Sequence, residues 1–159
     1  MTESEQVGEF SGMKPLDVYL RYDVSVEEVV EFALATVDGR AGRISGMKKE
    51  TREALESLFW PRWSLVSGSI VLSDFASRNL DAWVEEFGGD VRRAEEMVNH
   101  IHLWDWFEGD DSELARLEGT AAIIAQCWES KLRDDFPGRS QRVRWSVGSY
   151  GPEVTMSRA

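Results

Sequence analysis

Polar and apolar positions alternate first at residues 16–22. Leu16, Val18, Leu20 and Tyr22 are separated by Asp17, Tyr19 and Arg21, a period of two that predicts a half-buried strand. The period then lengthens. Ser25-Val26-Glu27-Glu28 has the spacing of a capping box, in which the serine hydroxyl and the glutamate carboxylate each accept from the other residue's amide. Val26, Val29, Val30, Ala33, Leu34 and Val37 follow on one helical face, and Asp38-Gly39 marks the stop. A second helix is expected from about Lys49 to Phe59, with Leu55, Leu58 and Phe59 inward and Pro61 beyond its end. Residues 63–73 read either as a strand pair turning at Ser67-Gly68 or as one irregular extended segment.

Three more helices are expected. Ser73 or Asp74 caps the first of them, which carries Ala76, Leu80, Trp83, Val84 and Phe87 on one face and ends at Gly88-Gly89. Asp90 caps the next, whose stripe of Val91, Ala94, Val98 and Ile101 carries it to about Phe107. Ser112 caps a long one over 113–134, where Leu114, Leu117, Ala121, Ile124, Trp128 and Leu132 keep the clearest 3-4 spacing in the chain. After Phe136-Pro137-Gly138 the period returns to two. Val143, Trp145 and Val147 alternate with Arg142, Arg144 and Ser146, Tyr150-Gly151-Pro152 is a turn, and 153–157 can return as a second strand.

This order predicts an α+β fold, a layer of about five helices on a small, mostly antiparallel sheet. The strand at 16–22 is expected to pair with the C-terminal hairpin, since a lone hairpin is marginal. Residues 1–14 are polar and Glu-rich and are expected to be a flexible segment ahead of one globular domain over 15–159.

Composition narrows the function classes. The 159 residues include one cysteine, so no internal disulfide can form, and seven Trp and seven Phe supply large core side chains. No apolar run approaches a membrane span and the first residues are acidic, so the expectation is a soluble, cytoplasmic protein. The net charge is −11, and residues 81–118 hold twelve acids against three arginines. Phosphate backbones and anionic lipid surfaces need a basic face, so nucleic acid and membrane are not expected partners. A basic protein is electrostatically suited.

Candidate chemistry is sparse. The chain has two histidines, His100 and His102. On the expected helix they lie about 200° apart and cannot share a metal. Helical spacing instead offers His102 to Asp105 and His100 to Glu96. Adjacent acids such as Glu85/Glu86 and Glu95/Glu96 read as a solvated face, and residues 105–113 lack the spacing of a calcium loop. There is no phosphate-binding glycine loop, zinc pattern or nucleophile elbow, and Cys127 reads as a half-buried structural thiol. No cofactor or metal is expected.

Aromatics crowd at helix ends in Phe59-Trp60-Pro61-Arg62-Trp63 and Trp104-Asp105-Trp106-Phe107. Trp104 and Trp106 cannot both be buried by one helical face, so either one of each Trp pair lines a groove or interface or both are buried between layers. The leading reading is a non-enzymatic interaction module, of the inhibitor or immunity type. It would hold a basic partner through Glu85, Glu86, Glu95 and Glu96, with Trp104 or Trp106 as apolar anchor. The alternative is a small enzyme or ligand-binding domain that uses His100 or His102 with a carboxylate such as Asp105.

Overall fold

Ser25 opens the first helix as its spacing predicts. In the computed structural model, which describes residues 24–40, 44, 46–72, 74–107 and 109–159 and the side chains of these except 74–78, both bonds of the capping box are present. The Glu28 amide donates to Ser25 Oγ at 3.1 Å and the Ser25 amide to Glu28 Oε1 at 3.0 Å. Helix α1 (Val26–Val37) buries Val26, Val29, Phe32, Ala33 and Ala35. Leu34 and Val37, expected inward, are exposed; Phe32 takes the inward place instead and meets Phe59 edge-on at 5.0 Å. Helix α2 (Lys49–Phe59) faces the same core with Leu55, Leu58 and Phe59.

Residues 63–73 resolve into the hairpin reading. Strands β1 (Ser64–Val66) and β2 (Ser69–Val71) pair antiparallel across Ser67-Gly68. Both turn residues have positive φ, 50° and 83°, the twist that two-residue hairpins require. Helix α3 (Asp74–Glu86) follows and ends at Gly88-Gly89, then α4 (Val91–Val98) begins on the Asp90 cap, whose carboxylate accepts from the Arg93 amide.

Helix α4 stops at Val98, well short of Phe107. The cause is Asn99, fully buried, whose side chain donates to the Ile70 carbonyl and accepts from the Leu72 amide, each at 2.8 Å. Its own carbonyl accepts from the Met156 amide at 3.0 Å. These bonds draw the chain into sheet pairing, and His100–His102 becomes strand β3, opposite Thr155, Val154 and Glu153. A 3₁₀ turn, Leu103–Asp105, comes next.

Asp110, not Ser112, caps the next helix, with a capping box to Glu113. The expected helix over 113–134 is broken at Arg116 into a short α5 (Asp111–Ala115) and α6 (Leu117–Asp135), the longest helix among the described residues. The predicted stripe holds across α6: Leu117, Ala121, Ile124, Trp128 and Leu132 are all buried. Trp128 stacks edge-on against Trp63 at 5.1 Å, and its indole N–H donates to the Leu58 carbonyl at 2.9 Å. That carbonyl belongs to the last turn of α2, where no helical donor remains to pair it.

The C-terminal hairpin forms as predicted, β4 (Gln141–Gly148) with β5 (Gly151–Arg158). The sheet order is β3-β5-β4, so β5 is central. The expected strand at 16–22 and the segment 1–14 lie outside the described residues. Alternation places Val143, Trp145 and Val147 on the face of the buried Val154 and Met156. Val143 packs on the core, but no described element covers Trp145 and Val147, and each is 47% exposed.

The main core lies between α1, α2, α6 and the Ile101/Val154/Met156 face of the sheet. A smaller cluster, Val71, Leu80, Ala94 and Val98, joins β2 to α3 and α4. No helix among the described residues is long and apolar enough to cross a membrane.

Candidate functional site

The four glutamates expected to form one acidic face separate into different environments. Glu85 and Glu86, at the C-terminal end of α3, are exposed and make no ion pair among the described residues. Glu95 is the reverse of the expectation: it is 1% exposed. Val91, Ala94, Glu95 and Val98 share one helical stripe, so the turn that buries Ala94 and Val98 buries Glu95 with them. Its carboxylate is satisfied by Arg158, whose amide donates at 2.8 Å, Nε at 2.9 Å and Nη2 at 2.6 Å. Those bonds push the Arg158 guanidinium further up from its ordinary value, so it stays charged. Glu96 is half-buried and already shared, with Arg144 Nη2 at 2.7 Å and Arg92 Nε at 3.7 Å. Glu95 and Glu96 are thus internal ties between α4 and the hairpin.

In each aromatic pair one ring is buried and the other exposed, but not by the helical argument, because the helix is absent at 104–106. Trp106 is buried at 1% and Trp104 is 41% exposed. Trp63 is buried and Trp60 is at the surface. Trp104 has a specific seat. Gly151 sits at φ +77°, and a Cβ there would lie 2.2 Å from Trp104 Cε2 and 2.5 Å from its Nε1. The indole therefore lies across space that only glycine leaves open. Asp105, next in the same turn, is exposed and makes no ion pair among the described residues.

The histidines lie on a strand, not on a helix, so the 200° separation does not apply. Positions i and i+2 face the same way, and the two rings meet edge-on at 5.0 Å. His102 meets Glu153 and not Asp105, the partner expected on a helix. His100 Nδ1 is 2.6 Å from the Met97 carbonyl, which can only accept, so Nδ1 carries the proton. His102 Nδ1 lies 3.5 Å from Glu153 Oε2, and Glu153 also accepts from Ser146 Oγ at 3.2 Å. Tyr150 flanks His102 at 6.2 Å between ring centroids. Glu153 was not a candidate from the sequence: the hairpin alternation placed it on the arginine-bearing face, but its contact with His102 needs β3 as a neighbour.

Cys127 is half-buried, and burial pushes its thiol up from 9.0 to about 11, against a smaller opposing effect of a hydrogen bond with Thr36. A thiol held neutral is a poor nucleophile. Among the described residues, no group of three or more His, Cys, Asp or Glu side chains is arranged to hold a metal ion.

No protein-family model, curated protein or solved structure matches the chain.

Proposed function

We propose that the protein is a non-enzymatic interaction module that binds a basic partner protein, in the manner of a small inhibitor or immunity protein. The observation that carries this reading is the turn Leu103–Asp105. It presents an exposed indole, seated on Gly151, beside an exposed carboxylate with no ion pair among the described residues. A Lys or Arg side chain of a partner can lie on the ring face and pair with Asp105, a cation–π contact next to a charge. Because the ring is already held, little side-chain freedom is lost on binding.

Charge supports the same partner. Within 81–118 the exposed acids Asp81, Glu85, Glu86, Asp111 and Glu118 have no ion pair among the described residues either. Of the three arginines in this stretch, Arg92 lies against Glu96 and Arg93 sits over the Phe87 ring at 4.3 Å, while Arg116 is exposed. Glu95 and Glu96 leave the binding surface in this reading, and Trp106 leaves it because it is core.

The test is capture of a partner from an extract of the native host on immobilised protein, beside a Trp104→Ala variant. The reading expects a stoichiometric basic protein that elutes with added salt and is lost from the variant. An identical set of bound proteins on both columns would contradict it.

One observation favours a second reading, a small acid–base enzyme: His102 has a carboxylate, Glu153, at 3.5 Å. A His102→Gln variant separates the two. Partner capture survives it under the first reading.

A further inference from the structure

Arg139 and Ser140, in the link from α6 to β4, and Gln141, the first residue of β4, border a cleft of about 190 Å³ completed by Gly68, Glu95 and Arg158. Its hydrogen-bonding groups are unequally spent. The Glu95 carboxylate and the Gly68 carbonyl are taken, while the Ser140 hydroxyl and the Gln141 amide can each donate or accept. Glu95 receives its three bonds from Arg158, and the Gly68 carbonyl receives Arg139 Nη1 at 2.7 Å. Among the described residues, donors remain without a partner: Nε and Nη2 of Arg139, Nη1 of Arg158, the Ser140 hydroxyl and the Gln141 side-chain amide.

The charges are unequal in the same direction. Glu95 neutralises Arg158, but Arg139 is tied to a neutral carbonyl and has no carboxylate partner among the described residues. The cleft therefore carries one surplus positive charge in a protein of net charge −11. Its parts are also held in place. Glu95 is buried and fixes Arg158 through Nε and Nη2, with Nη2 also 3.2 Å from Ser69 Oγ. Gly68 fixes Arg139.

We propose that this cleft is an oxyanion site, which takes a carboxylate or phosphate group between Arg139 and Arg158. Such a group has acceptors and negative charge to match unspent donors and a surplus cation, and planar guanidinium edges suit both oxyanions. Ser140 and Gln141 supply the neutral donors. The site is separate from the Trp104 turn, so it does not depend on the basic-partner reading.

The test is titration of the whole protein with inorganic phosphate and, separately, with acetate, at fixed ionic strength, by calorimetry and by the arginine Nε–H resonances. The wild-type protein should bind at least one of them saturably, in about the millimolar range, and Arg139→Gln should weaken that binding about tenfold. Arg142→Gln is the control: it removes an exposed arginine of the same segment that does not line the cleft. It should bind as the wild type does. Which anion saturates identifies the group. Absence of saturable binding by either, or equal weakening in both variants, would overturn the proposal.

Discussion

Replacing Glu95 with Ala should destabilise the protein by about 2–4 kcal/mol, because the side chain is a buried tie and not a surface charge. Three donors of Arg158 lose their acceptor. The backbone amide among them is only part-buried, and an unpaired buried group costs about 1–3 kcal/mol. Breaking a buried ion pair costs about 3–5 kcal/mol when the remaining charge is trapped. Here the Arg158 side chain is 44% exposed and can turn to water, which discounts that figure. The sum is still a large part of a typical stability of about 5–15 kcal/mol. Urea denaturation followed by tryptophan fluorescence reads it as a lower midpoint at unchanged slope. Glu85→Ala and Glu86→Ala in the same experiment should leave the midpoint where it is. A Glu95→Ala protein as stable as the wild type would show that the carboxylate is solvated and that α4 is turned differently.

Trp128→Phe should cost about 2–4 kcal/mol in the same titration, since it leaves the Leu58 carbonyl unpaired and a gap beside Trp63; a loss below about 0.5 kcal/mol would mean that the indole bond is not made. Gly151→Ala should cost about 1–3 kcal/mol through its left-handed φ, and it should also displace the Trp104 ring, read as a change in emission maximum. Unchanged emission would contradict the described seat. Cys127 makes alkaline stability pH-dependent. Its folded thiol titrates at about 11 against 9.0 when ordinary, so the unfolded chain releases the proton first and stability falls as pH rises from 9.0 towards 11. Cys127→Ala should flatten that fall, and an unaltered slope would assign it to other groups.

What could be read from the sequence was local. The α6 stripe needs no partner to be visible, because Leu117, Ala121, Ile124, Trp128 and Leu132 repeat at helical spacing within one segment. The capping box at Ser25 and the C-terminal hairpin are likewise complete within short windows. The strand β3 is not. Val98, Ile101 and Trp104 continue the spacing of α4 by coincidence, and what ends the helix is Asn99 bonding to residues 70, 72 and 156. Losing β3 also lost the pairing of His102 with Glu153. Glu95 was legible in part: it shares the stripe of Val91, Ala94 and Val98, and a charge there requires a counter-charge. Its partner Arg158 is 63 residues away in sequence and could not be named from the pattern. Trp104 was legible as surplus aromatic, but its seat depends on Gly151 across the sheet.

The most direct test of the interaction reading is the affinity of the captured partner for a Glu85→Lys/Glu86→Lys protein, measured by calorimetry at low and at physiological salt. Both side chains are exposed, so the thermal midpoint should not move. Affinity should fall about tenfold or more, roughly 1.4 kcal/mol or above, with the loss larger at low salt, where charges are less screened. An affinity equal to the wild type at both salt concentrations would contradict the claim that the acids of α3 face a basic partner.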